Sequence, residues 1–164
     1  MLTQVLARTE AFCAELGMEV PILMAPMAGS CPPPMAAAVM EAGGMGACGA
    51  LLMDPEAIAR WAEDVRVKRD GPFQMNLWIP DPAPARDPHH EAQVSEFLAG
   101  WGSRPMELTS ASSLSFNDQC AALIDARPAA LSSIMGLYPP EVVSECKAAG
   151  IRWFATATSV AEAR

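Results

Sequence analysis

Short apolar runs alternate with helix signals along the chain, and this alternation restricts the fold more than any other feature. The runs carry almost no charge, which is typical of strands covered on both faces in a parallel sheet. The segments between them have helical spacing of apolar residues, with proline or a capping side chain at the start. The sequence therefore predicts an α/β fold built from βα units. Five strands are predicted, at residues 21–25, 45–52, 73–78, 129–134 and 151–157.

Two architectures consist of such units, the open doubly wound sheet and the (β/α)8 barrel of the TIM type. A complete barrel takes about 250 residues, and 164 residues supply about five of its eight units. The length by itself favours the open sheet. A helix is predicted to begin at Ser159 and is still unfinished at Arg164, which favours a barrel that continues beyond this chain.

Composition excludes several classes of function. A net charge of -8 argues against a nucleic-acid or anionic-membrane surface. Residues 20–40 carry no charge, but five prolines interrupt them, so they do not form a membrane-spanning helix. Five widely spaced cysteines form no CxxC pair and no zinc pattern, so we expect small buried thiols in a reducing compartment. These observations predict a cytoplasmic protein without a metal site.

Proline and small residues follow the first apolar run directly, in the stretch PILMAPMAG at residues 21–29. The backbone of Ala25, Pro26, Met27 and Ala28 can lie against a flat ligand, because few side chains stand in the way. A tight loop after a buried strand, without a ligand, is the alternative interpretation.

Asn76 is a polar residue inside the apolar third strand. A buried amide is costly unless it is hydrogen-bonded. The residue also lies near the carboxyl end of its strand, where parallel α/β folds bind ligands. The sequence therefore makes Asn76 a candidate ligand contact, with an amide satisfied by backbone groups as the alternative.

Two further motifs lack the context that their usual functions require. The stretch GMGACG at residues 44–49 matches the GxGxxG dinucleotide pattern, but it follows a helix and enters a strand, whereas the fingerprint follows a strand. His89 and His90 are adjacent on a predicted helix and point about 100° apart, with no further ligand placed beside them. We assign no cofactor to the first motif and no metal to the second.

Four stretches resemble the nitronate monooxygenase family, formerly called 2-nitropropane dioxygenases. They are PILMAPMAGSCPPPMAAAVMEAGGMGACGA, DGPFQMNLW, ALSSIMGLYPPEVVSECKAAGI and ATATSVAEA, and they cover about residues 20–164. The resemblance implies a TIM-type (β/α) barrel that binds FMN, here as a single domain over residues 1–164 with its carboxyl-terminal side missing. It favours the partial barrel over the open sheet.

The resemblance also implies which residues form the cofactor site. The loop after the first strand runs along the flavin ring in this family, which corresponds to residues 25–28, and the asparagine of the third strand contacts the flavin, which corresponds to Asn76. The fourth-strand segment SSIMG is similar to another part of the pocket wall and adds Ser133 and Met135. No catalytic residue is assigned, because the family's histidine and its phosphate-binding glycine loops correspond to segments beyond residue 164.

The implied activity is the oxidation of alkyl nitronates with dioxygen at the flavin. Flavin-dependent enoyl-ACP reductases, which use NAD(P)H, share the first-strand pattern and give an alternative function of the same enzyme class. A second alternative is an inactive half-barrel or scaffold. The open edge and apolar interior of such a half-barrel would favour self-association.

Overall fold

The computed structural model describes residues 2–82, 85–102 and 114–164. It divides the chain into two compact units, one formed by Met1–Pro80 with Leu114–Arg164 and the other by Asp81–Ser113. The segment 103–113, for which the sequence predicts a turn or a loop, lies outside the described residues.

Helices and strands alternate in the first unit as the sequence predicts. Its four strands form one parallel sheet, in which each strand pairs with the next one along the chain. The second unit contains the helix Pro88–Ala99. In chain order the elements are α1 (Leu2–Leu16), α2 (Pro33–Glu41), β1 (Gly46–Gly49), α3 (Pro55–Lys68), β2 (Phe73–Trp78), α4 (Pro88–Ala99), α5 (Phe116–Asp125), β3 (Ala130–Ile134), α6 (Pro140–Ala148) and β4 (Arg152–Ala155).

The expected first strand at residues 21–25 does not form a regular strand. It is an extended segment that pairs in parallel with the residue before β1 through one isolated bridge, Leu23 to Met45. Two hydrogen bonds close this bridge, from Met24 N to Met45 O at 2.9 Å and from Met45 N to Ile22 O at 2.9 Å. Pro26 is the next residue whose N–H would face the partner segment, and it has no N–H to donate, so the ladder does not continue toward the loop. On the other side, Ile22 N donates to Val20 O at 2.8 Å and not to the partner segment.

The helix expected from Ser159 is also absent. Residues 159–163 form a turn, closed by one hydrogen bond from Ala163 N to Ser159 O at 3.2 Å. A single bond of this kind closes one turn and does not make a regular helix.

The start of α3 shows how local sequence sets an element's bounds. The Asp54 side chain accepts a hydrogen bond from Ala57 N at 2.7 Å, and Pro55 occupies the first helical position. Both features satisfy or remove backbone donors that a helix start leaves unpaired. One face of this helix is buried against the sheet through Ile58, Trp61 and Val65.

The main core lies between the sheet and the helices α2, α3, α5 and α6. Phe73, Met75 and Leu77 of β2 belong to it, and the Trp61 and Phe73 rings meet edge to face at 5.5 Å between centroids. Because strand side chains alternate, the residues between them, Gln74 and Asn76, point to the opposite face of the sheet.

All five cysteines are buried and free, which confirms the expectation of small buried thiols. Over residues 2–82, 85–102 and 114–164, no helix has both the length and the apolar character needed to cross a membrane.

Candidate functional site

The carboxyl ends of the strands bring one row of residues into register across the sheet. Ala28 forms an isolated bridge with Gly49, Gly49 pairs with Asn76, and Asn76 pairs with Ser132. On its far side, Ser132 pairs with Phe154 of β4. This row joins the proline-containing loop and Asn76, which the sequence singles out separately and which lie 48 residues apart in the chain.

Gly49 allows the loop to approach the sheet closely. A Cβ atom at this position would lie 2.5 Å from Ala28 N, 2.8 Å from Met27 C and 2.9 Å from Ala28 Cα. Real Cβ atoms do not come this close to backbone atoms, so only glycine fits here without moving the loop. The main chain of Met27 and Ala28 therefore lies directly on the sheet at the carboxyl end of β1.

Gln74 holds the segment where it leaves the sheet. Its side chain is 5% exposed, and Nε2 donates a hydrogen bond to Met24 O at 3.0 Å. The loop therefore departs after Met24 and returns at Ala28, with residues 25–27 between two anchored points.

Asn76 is 8% exposed and is held by β3. Its Nδ2 donates to Ser132 O at 3.1 Å and to Ser132 Oγ at 3.0 Å. A carbonyl oxygen only accepts, so the bond to Ser132 O fixes which end of the amide is the nitrogen. Among the described residues, none donates a hydrogen bond to Asn76 Oδ1. The amide is therefore partly satisfied by backbone, as the alternative interpretation expects, and still has one acceptor available.

Ser133 and Met135 lie apart from this row. Ser133 is fully buried, and its Oγ accepts a hydrogen bond from Trp153 Nε1 at 3.2 Å, so its side chain points away from the face that carries Asn76. Met135 is 60% exposed and has a left-handed backbone, with φ of 67°.

Met135 lines a cleft of about 500 Å³ at the carboxyl ends of β3 and β4. Leu137, Thr156 and Glu162 line the same cleft. Hydrogen bonds from Thr158, the largest from its backbone N–H, hold the pKa of the Glu162 carboxyl below its usual range.

A smaller cleft of about 310 Å³ lies beside the loop itself. Its lining includes Met27, Cys31, Cys48 and Gly49. The larger cleft lies at the carboxyl ends of its strands, where parallel α/β folds bind their ligands. The smaller cleft lies on the core face of the sheet, since Cys48 pairs with Met75 and Trp61 also lines it.

The histidine pair belongs to the second unit. His89 and His90 are exposed in the first turn of α4, in the second unit, where their backbone N–H groups donate to the Asp87 side chain at 3.0 and 3.1 Å. Within the described part of the chain, no three His, Cys, Asp or Glu residues are grouped so that they could hold a metal ion.

A comparison with protein families identifies the family of the chain. The family model described as nitronate monooxygenase matches residues 10–164. The chain belongs to the nitronate monooxygenase family. It is 36% identical over 155 residues to a nitronate monooxygenase of Paraburkholderia phytofirmans, covering 90% of this chain and 42% of that protein. It is 35% identical over 162 residues to a nitronate monooxygenase of Pseudomonas aeruginosa, covering 94% and 46%. The chain thus spans less than half the length of these relatives.

Solved structures agree with this family assignment. A nitroalkane oxidase from Streptomyces ansochromogenes superimposes with a TM-score of 0.76 at 27% identity, over 92% of this chain and 44% of that one. FabK from Thermotoga maritima superimposes with a TM-score of 0.66 at 25% identity, over 94% and 39%. The parallel sheet is therefore part of a TIM-type (β/α) barrel, as predicted, and the open doubly wound alternative is wrong.

Three residues hold this row in place but were not predicted as site residues from the sequence: Gly49, Gln74 and Ser132. Gly49 ends the GMGACG stretch, whose pattern is that of a dinucleotide fingerprint, Gln74 lies two positions before Asn76, and Ser132 precedes Ser133. A usable signal existed for Gln74: a polar residue two positions from Asn76 in an apolar strand shares its face.

Proposed function

We propose that this chain supplies the amino-terminal part of a flavin-dependent oxidoreductase of the nitronate monooxygenase type, which oxidises alkyl nitronates with dioxygen. One observation carries the proposal: the loop of residues 25–28 lies on Gly49 in register with Asn76, which keeps a free acceptor at the carboxyl edge of the sheet. Family membership over residues 10–164 supports the same activity.

The residues of the row fit the ring system of a flavin. Ala25, Pro26 and Ala28 have small or rigid side chains, so their main chain can face a flat ring. Asn76 Oδ1 is an acceptor on a side chain fixed by two hydrogen bonds, which suits the N–H on the uracil-like edge of a flavin. FMN is the flavin that the family resemblance implies, and it is the one we propose.

We propose the residues predicted from the sequence as the cofactor site, although Ser133 lies on the opposite face of the sheet from Asn76. Residues 25–28 would face the ring, Asn76 would accept its hydrogen bond, and Met135 would line the neighbouring cleft. Ser133 is supported by the resemblance alone, because its hydroxyl is engaged by Trp153.

When bound, the flavin would supply the redox chemistry, taking electrons from the nitronate and passing them to dioxygen. The chain's own contribution is to bind and orient. Asn76 is immobilised by Ser132, and the loop backbone by Gly49 and Gln74, so little conformational freedom is lost when a ligand binds. Five free, buried thiols also support a reducing compartment, and we propose a cytoplasmic location.

Retention of FMN tests the proposal. The purified chain is mixed with FMN and desalted, and its visible spectrum is recorded beside those of Asn76→Ala and of Gln93→Ala, which removes an exposed amide in α4. We expect the wild type and Gln93→Ala to retain flavin bands. Asn76→Ala should bind FMN about tenfold more weakly, since one hydrogen bond is lost. Sedimentation of the same samples tests the proposed self-association.

A wild-type chain that elutes without flavin would contradict the proposal that these residues hold the cofactor. Equal affinity of Asn76→Ala and the wild type would remove Asn76 from the site. Flavin-loaded protein is then assayed for nitronate oxidation coupled to oxygen consumption.

An enoyl-ACP reductase-like enzyme that uses NAD(P)H is a second candidate, favoured by the similarity to FabK. The nitroalkane oxidase superimposes with the higher TM-score, so the reductase-like function has less support than the nitronate monooxygenase function. Oxidation of NAD(P)H by the flavin-loaded protein, without oxidation of nitronates, would reverse this order.

A further inference from the structure

The Cys31 thiol forms hydrogen bonds with two backbone groups of the loop that faces the proposed cofactor. Its Sγ accepts a hydrogen bond from Met27 N at 3.1 Å, and the thiol donates to Ala25 O at 3.5 Å. Cys31 is 6% exposed, so little water competes for these contacts. One side chain thus satisfies a donor and an acceptor on the segment that has left the sheet.

Other groups keep this thiol in place. The Cys31 carbonyl accepts a hydrogen bond from Trp61 Nε1 at 2.8 Å, inside the core. Trp61 belongs to α3 and packs on Phe73 of β2. The position of the Cys31 backbone is therefore set by the core of the first unit, and the thiol transmits that position to the loop.

A second cysteine in the same cleft provides a natural comparison. Cys48 also lines the cleft beside the loop, but its Sγ contacts Met53 Sδ at 3.6 Å and not the loop backbone. Both thiols are buried, of similar size and in one cavity. They differ in whether they bond to residues 25–27.

We propose that Cys31 is a positioning residue for the cofactor loop. Its thiol holds Ala25 and Met27 in the conformation that contacts the flavin, without contacting the flavin itself. This inference rests on the proposed function for the role of the loop. The hydrogen bonds themselves are independent of it.

Hydrogen exchange and FMN titration of the whole chain test the inference together. Exchange at residues 25–28 is compared among wild type, Cys31→Ala, Cys31→Ser and Cys48→Ala. Cys31→Ala should speed exchange of the Met27 amide roughly 3- to 10-fold, as expected for one lost hydrogen bond, and should weaken FMN binding by a similar factor. Cys31→Ser keeps a donor and an acceptor and should restore most of both. Cys48→Ala should leave both near wild type.

The outcomes separate the two proposals. A wild type that binds no FMN overturns the proposal that this chain holds the cofactor, and the exchange of Met27 in the same samples then decides whether Cys31 holds the loop. If the wild type binds FMN and Cys31→Ala matches it in both measurements, the positioning role is wrong. If Cys48→Ala changes exchange and affinity as much as Cys31→Ala does, the effect is general packing and the inference is also wrong.

Discussion

Adding a single methyl group at Gly49 tests the arrangement of the site most directly. In Gly49→Ala the new Cβ would lie 2.5 Å from Ala28 N, whereas ordinary contacts begin at 3.4 Å. About 0.9 Å of movement is needed to restore such a contact. The three nearest atoms, Ala28 N, Met27 C and Ala28 Cα, all belong to the loop backbone, so no side-chain rotation relieves the clash.

The cost of this substitution follows from the packing. Extra methylene groups forced into a packed interior typically cost about 1–3 kcal/mol. At about 2 kcal/mol, a domain of this size loses roughly 4–8 °C in Tm. The movement also breaks the bridge between Ala28 and Gly49, so the loop no longer lies in register with Asn76. We therefore expect a loss of FMN affinity beyond what the loss of stability explains.

Urea unfolding and FMN titration measure the two effects on the same protein. Gly102→Ala is the matched control, because its Cβ meets nothing within 4 Å and its backbone is not left-handed. Gly49→Ala with an unfolding midpoint and FMN affinity equal to those of Gly102→Ala would show that the loop does not depend on this close approach, and the reasoning for the site would fail.

Two further predictions concern the supports of the site. Gln119 is buried and its Nε2 donates to the carbonyls of Ala50, Leu51 and Met53, so Gln119→Ala should lower the free energy of unfolding by about 1–3 kcal/mol in urea titrations, whereas Gln93→Ala should not. Burial, with a smaller contribution from a neighbouring thiol, raises the pKa of Cys48 from 9.0 to about 12, so the folded state holds this proton more tightly than the unfolded state. The stability that this proton contributes is complete below about pH 9 and is lost as the pH rises towards 12. Across this range the urea midpoint of the wild type should fall more steeply than that of Cys48→Ala. Equal slopes would contradict the raised pKa of Cys48.

The elements with strong local signals were predictable from the sequence. The predicted bounds of the third strand, residues 73–78, coincide with β2, because glycine and proline precede an uncharged run that ends before the proline-rich stretch. Asp54, Pro55 and Glu56 predict a helix start through a side-chain cap, a proline and an acidic first turn, and α3 confirms it. The prolines at 32–34 predict the opening of a second helix, over residues 35–42, whereas α2 already begins at Pro33, because prolines are tolerated in the first turn of a helix.

The first strand was not predictable from apolar character alone. The run at residues 21–25 has the composition of a buried strand, but the chain forms only a single bridge there and leaves the sheet after Met24. Propensity describes a segment by itself, whereas the number of ladder bonds depends on Pro26, which lacks the next donor, and on the partner strand. The second strand is likewise shorter than expected, as β1 ends at Gly49, where the loop approaches.

The register between β2 and β3 explains why Ser132 was not predicted from the sequence as a site residue. Consecutive residues of a strand face opposite sides, so the serines at 132 and 133 cannot both contact Asn76. Their sequence, two serines in a row, does not distinguish them. The pairing of Asn76 with Ser132 decides the matter, and a slip of one residue would exchange the two hydroxyls. Register is a property of the assembled sheet, set here by the core packing of Met75 and Leu131 on its other face. A polar site at the end of a parallel sheet is thus foreseeable from one strand, but its neighbours are known only once the strands are paired.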